Sequence, residues 1–252
     1  KTEVATESCT PTGGSLMDIS GKKAVVFGGT SGIGLATVER LVAGGATVVA
    51  VSRTAGKASA PPDGVAFASR DVRDGDAVAA FLSEHAPYDI LISTATGGDR
   101  AIGPFLEMDM DGYKASFDKL WGYANVVRYG AAQVNDGGSI TLVSGAPARN
   151  CRPGQIALSS VGGAVEAMVR AVAREVAPRI RVNVMSPGTI DTPMVPLEGD
   201  ARTEFYTNIT AGNLVPRAGT PDECAQAMMY LVENDFVTGT TVDVDGGWVH
   251  QV

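Results

Sequence analysis

Histidine is almost missing from this chain: only His85 and His250 occur in 252 residues. That excludes a histidine-rich metal site and argues against a triad built on an imidazole base. Cysteine is scarce too. Cys9, Cys151 and Cys224 are odd in number and share no metal-ligand spacing, so reduced thiols in a cytoplasmic protein are expected, with no metal. No run of about 18 apolar residues occurs, which argues against a bilayer span. The first twenty residues are polar and lack the apolar segment of a secretory signal. They are expected to form a flexible extension over 1–20, ahead of one domain over 21–252. Positive charge is short as well. A net charge of −8 makes nucleic acid and anionic membranes poor partners, although a local basic spot can still hold a phosphate. Lysine itself stops at Lys119, and no tyrosine is followed four positions later by a lysine.

What is present suits a compact fold with many tight turns: 44% hydrophobic residues, 31 Gly and 13 Pro. Short apolar runs at 22–29, 46–52, 64–69, 88–93, 138–144, 179–186 and 240–247 read as buried strands. Helical spacing occupies 32–45, 76–86, about 110–133, 155–177 and 221–234, the last opening with Pro221 and adjacent acids. Residues 196–218 read as a lid or loop with a short helix. Alternation of strand and helix implies right-handed crossovers. The expected fold class is α/β, a doubly wound Rossmann-type parallel sheet with helices on both faces, in a single domain.

The stretch GGTSGIG, residues 28–34, falls between the first strand and the first helix, the context in which glycines carry meaning. Gly28 allows a sharp turn, Gly32 a close approach to phosphate, and Gly34 tight packing of helix on strand. The helix N-terminus then offers free N–H groups to an anion, with Thr30, Ser31 and Ile33 beside it. The second strand ends at Ser52-Arg53. An acid near here would take the ribose hydroxyl of NAD; an arginine suits a 2′-phosphate. NADP(H) is therefore the expected cofactor.

On these residues the chain resembles the classical short-chain dehydrogenase/reductase family over about residues 18–249. FGGTSGIG follows its TGxxxGxG spacing, with Phe27 in place of the usual Thr. Asp71 and Val72 match its Asp-Val after strand three, which implies contact with adenine. NVMSPGTIDTPM is similar to its N-x-x-x-P-G-x-x-x-T, which implies that Pro187, Gly188, Ile190 and Thr192 line nicotinamide and phosphates. VTGTTVDVDGG resembles its C-terminal segment, which implies a homodimer or homotetramer, and the family acts on small-molecule substrates. Its NNAG after strand four is Ser93-Thr94-Ala95-Thr96 here, with Thr94 and Ala95 still expected along the cofactor.

The resemblance fails at the chemistry. The family's catalytic Asn position falls on Lys119, its Ser on Gly145, its Tyr on Leu158 and its Lys on Gly162. In the family the tyrosine passes a proton to a carbonyl oxygen, the lysine lowers its pKa, and the serine positions the oxygen. Leu158 and Gly145 can do neither job, and general acid catalysis is worth roughly 10²–10⁴-fold. Three readings stay open at this point. One is an NADP(H)-dependent oxidoreductase with other chemistry, for example on an imine, an iminium or an activated double bond. Another is a non-redox cyclase or isomerase, and the third an inactive NADP(H)-binding protein. Lys119 and Arg149 are the candidate catalytic side chains. Lys119 could reach the space vacated by the family's lysine, and Arg149 could clamp an anion; a snorkelling lysine and a solvated arginine are the plainer alternatives. Glu166 reads as a helix-face carboxylate and Tyr206 as a packed lid aromatic. Gly162 and Gly163 inside a helix imply close approach of a ligand or a partner helix.

Overall fold

Seven parallel strands run in the order β3-β2-β1-β4-β5-β6-β7 in the computed structural model, which describes residues 16–55, 61–96 and 100–250. They are β1 Lys23–Phe27, β2 Thr47–Ser52, β3 Val65–Ser69, β4 Tyr88–Ser93, β5 Val134–Val143, β6 Arg181–Pro187 and β7 Thr241–Val244. Each apolar run expected as a strand is one. The helices are α1 Gly32–Ala43, α2 Gly75–Glu84, α3 Met110–Ser116, α4 Asp118–Gly130, α5 Pro147–Asn150, α6 Ile156–Val176, α7 Gly199–Thr210 and α8 Pro221–Glu233.

Both faces of the sheet are covered, because a parallel sheet of Val and Ile has no face to give to water. On one face α2, α4 and α6 bury Val78, Phe81, Tyr123, Val126, Val165 and Val169 against β1, β4, β5 and β6. On the other, α1 and α8 bury Val38, Leu41, Met228, Leu231 and Val232. By length and hydropathy α6 could cross a membrane. Its apolar face is instead accounted for by the core, through Val165, Val169 and Ala173.

Four expectations need correction. The long helix over 110–133 is broken at Phe117, which separates α3 from α4. Ser116 turns its hydroxyl back onto the Gly112 carbonyl, a local bond that competes with straight helix. The lid carries a full twelve-residue helix, α7. The loop after β5 contains the short α5. The extension does not reach residue 20. Ile19 is buried, lying so close to Gly44 that a Cβ there would stand 2.2 Å from its Cδ1, and the Met17 N–H bonds the Glu233 carbonyl at 2.7 Å. Residues 1–15, with Cys9, lie outside the described residues.

Strand order reverses between β1 and β4. Their carboxyl ends are the switch point of a doubly wound sheet, where ligands bind. Gly28 and Thr94 follow those two ends directly.

Candidate functional site

The cradle is built by close packing around the turn after β1. A Cβ at Gly28 would sit 2.4 Å from Thr94 Oγ1, and one at Gly34 only 2.1 Å from the Gly28 carbonyl oxygen. Thr94 N–H bonds the Phe27 carbonyl at 2.8 Å, so the two strand ends are tied together and Ala95 follows alongside. Ser31 is the N-cap of α1 and makes no side-chain capping bond. The first-turn N–H groups of α1 therefore point, uncapped by Ser31, at the space where an anion would lie. Thr192 approaches from β6, 3.5 Å from a Cβ placed on Gly32, with Thr30 and Ile33 on either side of the loop.

Farther along the same edge, the Ser52 hydroxyl is buried with no partner. Arg53 is exposed and makes no salt bridge among the described residues. Asp71 binds Arg73 at 2.7 Å, and that hydrogen bond holds its carboxyl below the ordinary range, with Arg53 adding a weaker pull. Val72 is core: it packs on Gly122, and its carbonyl accepts from Asn125 Nδ2 at 2.9 Å. At the β6 end, the Pro187 carbonyl accepts from Ala146 N–H at 2.9 Å. Gly188 passes so close to Asp245 that a Cβ would meet its Cα at 2.7 Å. Ile190 bridges to Gly219. Tyr206, on α7, is spent on this loop: its hydroxyl accepts from Thr192 N–H at 3.3 Å. An orphaned hydroxyl, an open helix start and glycines no Cβ can replace fit a dinucleotide.

The two catalytic candidates part company. Lys119 opens α4 and turns inward, its Nζ donating to the Ser144 carbonyl at 2.8 Å and lying 5.6 Å from the Tyr123 ring centre. Burial first, and Arg100 second, pull its pKa down to about 7. Arg149 is no substrate clamp. Its guanidinium donates to Glu166 at 2.6 Å and to Ser186 Oγ at 2.7 Å, and pairs with Asp243. Glu166, buried, also accepts from Ser144 Oγ at 2.9 Å. These groups tie α5, α6 and β5–β7 together beneath the site. Sequence reading missed this because Asp243 lies 94 residues away.

Leu158 and Gly162 share a face of α6. The close approach expected at Gly162 comes from neither ligand nor partner. A Cβ there would stand 2.9 Å from Ala148 Cβ on α5, whereas Gly163 has nothing within 4 Å. So α5 fills the volume a lysine stem would need. Along the start of α6, a cleft of about 620 Å³ opens between Phe105, Pro153, Ile156 and Ser159. A second hollow, near Pro87, Gln133 and Arg179, lies at the opposite ends of the strands and away from this chemistry.

The profile of the family described as Enoyl-(Acyl carrier protein) reductase matches residues 28–249. The chain belongs to the short-chain dehydrogenase/reductase family. A cyclic-di-GMP-binding biofilm dispersal mediator protein of Escherichia coli is 32% identical, over 91% of this chain and 98% of that one. A 2-keto-3-deoxy-L-fuconate dehydrogenase of Xanthomonas campestris is 29% identical, over 91% and 81%. Among solved structures, a small-chain dehydrogenase in complex with NADPH superposes with a TM-score of 0.78 at 30% identity, covering 92% of this short-chain dehydrogenase/reductase chain and all of the other.

Proposed function

We propose that this chain is an NADP(H)-dependent oxidoreductase that exchanges hydride with a small organic substrate and works without a tyrosine acid. The glycine cradle, the orphaned Ser52 hydroxyl and exposed Arg53 support the phosphorylated dinucleotide, as does the NADPH held by the similar solved dehydrogenase. The chemistry rests on the register in which the resemblance puts the family's tyrosine and lysine at Leu158 and Gly162, and it is supported by the packing of α5 over Gly162. The nicotinamide, when bound, supplies or accepts the hydride. Lys119 is the group placed to hold or move a proton, its Nζ fixed on the Ser144 carbonyl. A pKa of about 7 lets it act in either direction near neutrality. An imine or iminium carbon needs no proton at oxygen, and an activated double bond can draw one from Lys119 or water. Assembly as a homodimer or homotetramer belongs to the same reading; Trp121 on α4 is 62% exposed and Phe236 97% exposed, apolar surface that an assembly would cover.

A second reading is an NADP(H)-binding protein without turnover. It draws on the Escherichia coli relative, which is named for binding cyclic-di-GMP and not for a reaction. A cyclase or isomerase on the same scaffold is the third. Fluorescence titration with NADPH and NADH, followed by a screen of cyclic imines against simple ketones, separates them. NADPH is expected to bind more tightly than NADH, and Arg53→Ala to narrow that preference by about ten-fold. Imines are expected to oxidise NADPH, and Lys119→Ala to slow substrates that need a proton more than those already protonated. Brisk turnover of ketones refutes the missing-acid argument. Failure to bind either dinucleotide leaves only the cyclase or isomerase.

A further inference from the structure

Two cations meet beside this site with no carboxylate between them among the described residues. Lys119 comes from the first turn of α4, and Arg100 from the segment after β4. The N–H of Ala101 donates to Ser116 Oγ at 3.0 Å, which holds the Arg100 segment against the chain three residues before Lys119, and Arg100 depresses the Lys119 ammonium electrostatically. It also reaches across the groove, its Nη2 lying 3.5 Å from the Met194 sulfur on the loop after β6. Neither makes a salt bridge among the described residues. Two nearby carboxylates are committed elsewhere. Asp118, next in sequence to Lys119, faces Arg73 at 3.3 Å, and Glu166, behind Ser144, faces Arg149 at 2.6 Å. The other polar neighbour is the Tyr123 phenol, which burial keeps protonated.

Most of the arginines around the groove are locked into acids or carbonyls, as Arg73, Arg149 and Arg202 show. Holding two like charges side by side in a partly desolvated groove is unfavourable for the empty protein. Among the described residues Arg100 caps no helix and bridges no strands. Strained charge arrangements of this kind gather at binding sites.

We propose that Arg100 and Lys119 form the seat of a carboxylate carried by the substrate. The forked guanidinium takes two oxygens side by side, and the ammonium takes a third direction as a point charge. This rests on the oxidoreductase reading only in taking the groove as the substrate side. The phosphates of a dinucleotide have their own place at the start of α1, between Gly32 and Thr192. The seat lies instead beside Ser144 and Gly145, on the reaction side. Substrates are therefore small unsaturated acids or imino acids, and their neutral counterparts are poor ligands.

The test is binding, not turnover. The full chain, saturated with NADP⁺, is titrated calorimetrically with picolinate, benzoate, cinnamate and sorbate, and with the carboxamide of each. At least one acid is expected to bind about ten-fold or more tightly than its amide. Arg100→Ala is expected to erase that preference and Arg100→Lys to keep part of it. NADPH affinity, measured by fluorescence on the same proteins, is expected to change less than about two-fold, since the dinucleotide phosphates sit elsewhere. No preference for any acid over its amide overturns the seat. A preference unchanged in Arg100→Ala overturns it too, and so does a main loss in NADPH affinity, which assigns the cations to the cofactor. If the wild type binds no dinucleotide but still prefers acids, the oxidoreductase reading falls and the seat stands.

Discussion

Replacing Lys119 with methionine keeps the stem and removes the charge. In the native protein, burial and Arg100 bring this ammonium to about 7, against 10.5 for an unperturbed lysine. Between those two values the unfolded chain binds a proton that the folded chain resists. Wild-type stability therefore falls as pH drops from about 10.5 toward 7, and below 7 the contribution is constant. The gap sets a ceiling of about 5 kcal/mol. Lys119 keeps some contact with solvent, so about half of that is expected. Lys119→Met should be more stable than wild type by about 2 kcal/mol at pH 6.5, and the advantage should vanish near pH 10. Urea unfolding followed by tryptophan fluorescence at several pH values measures this directly. A methionine effect that is the same at every pH, whatever its size, means that Lys119 titrates normally. The case for it as a proton-bearing group then fails.

Two further expectations concern packing. Gly162→Ala drives a Cβ to 2.9 Å from Ala148, and the crowding should outweigh the better helix propensity by about 1 kcal/mol. Gly163→Ala meets nothing and should stabilise by about 1 kcal/mol; destabilisation there would reveal a partner helix against α6. Arg181, buried, donates to the carbonyls of Leu231 and Val232 in the last turn of α8 and of Val237 in the loop after it. Arg181→Met should cost about 2 kcal/mol in urea unfolding by orphaning them, and a loss below about 0.5 kcal/mol would show that water replaces the arginine readily.

Much of the scaffold was readable from local pattern. Short apolar runs became the strands, and GGTSGIG became the turn from β1 into α1. Those features depend on neighbours in the chain: a positive φ, a helix start, a side chain with no Cβ. Where the reading slipped, a distant residue decided. At the break before Phe117, the Ser116 hydroxyl donates to the Gly112 carbonyl and accepts from the N–H of Ala101, 15 residues back. Ile19 belongs to the domain because Gly44, 25 residues on, leaves room for it.

The absence of the family's Y-x-x-x-K spacing could be established from the amino-acid order alone, since no tyrosine is followed four positions later by a lysine. The meaning of the residues that remain could not. Arg149 and Lys119 are both cations near the ends of the same strands, and nothing in their immediate sequence separates them. Folding brings Asp243 and Glu166 to the guanidinium and leaves the ammonium on a carbonyl, beside the Tyr123 ring and another cation. Charge is a property of the residue; whether it is neutralised, buried or left waiting for an anion depends on which segments the sheet gathers around it.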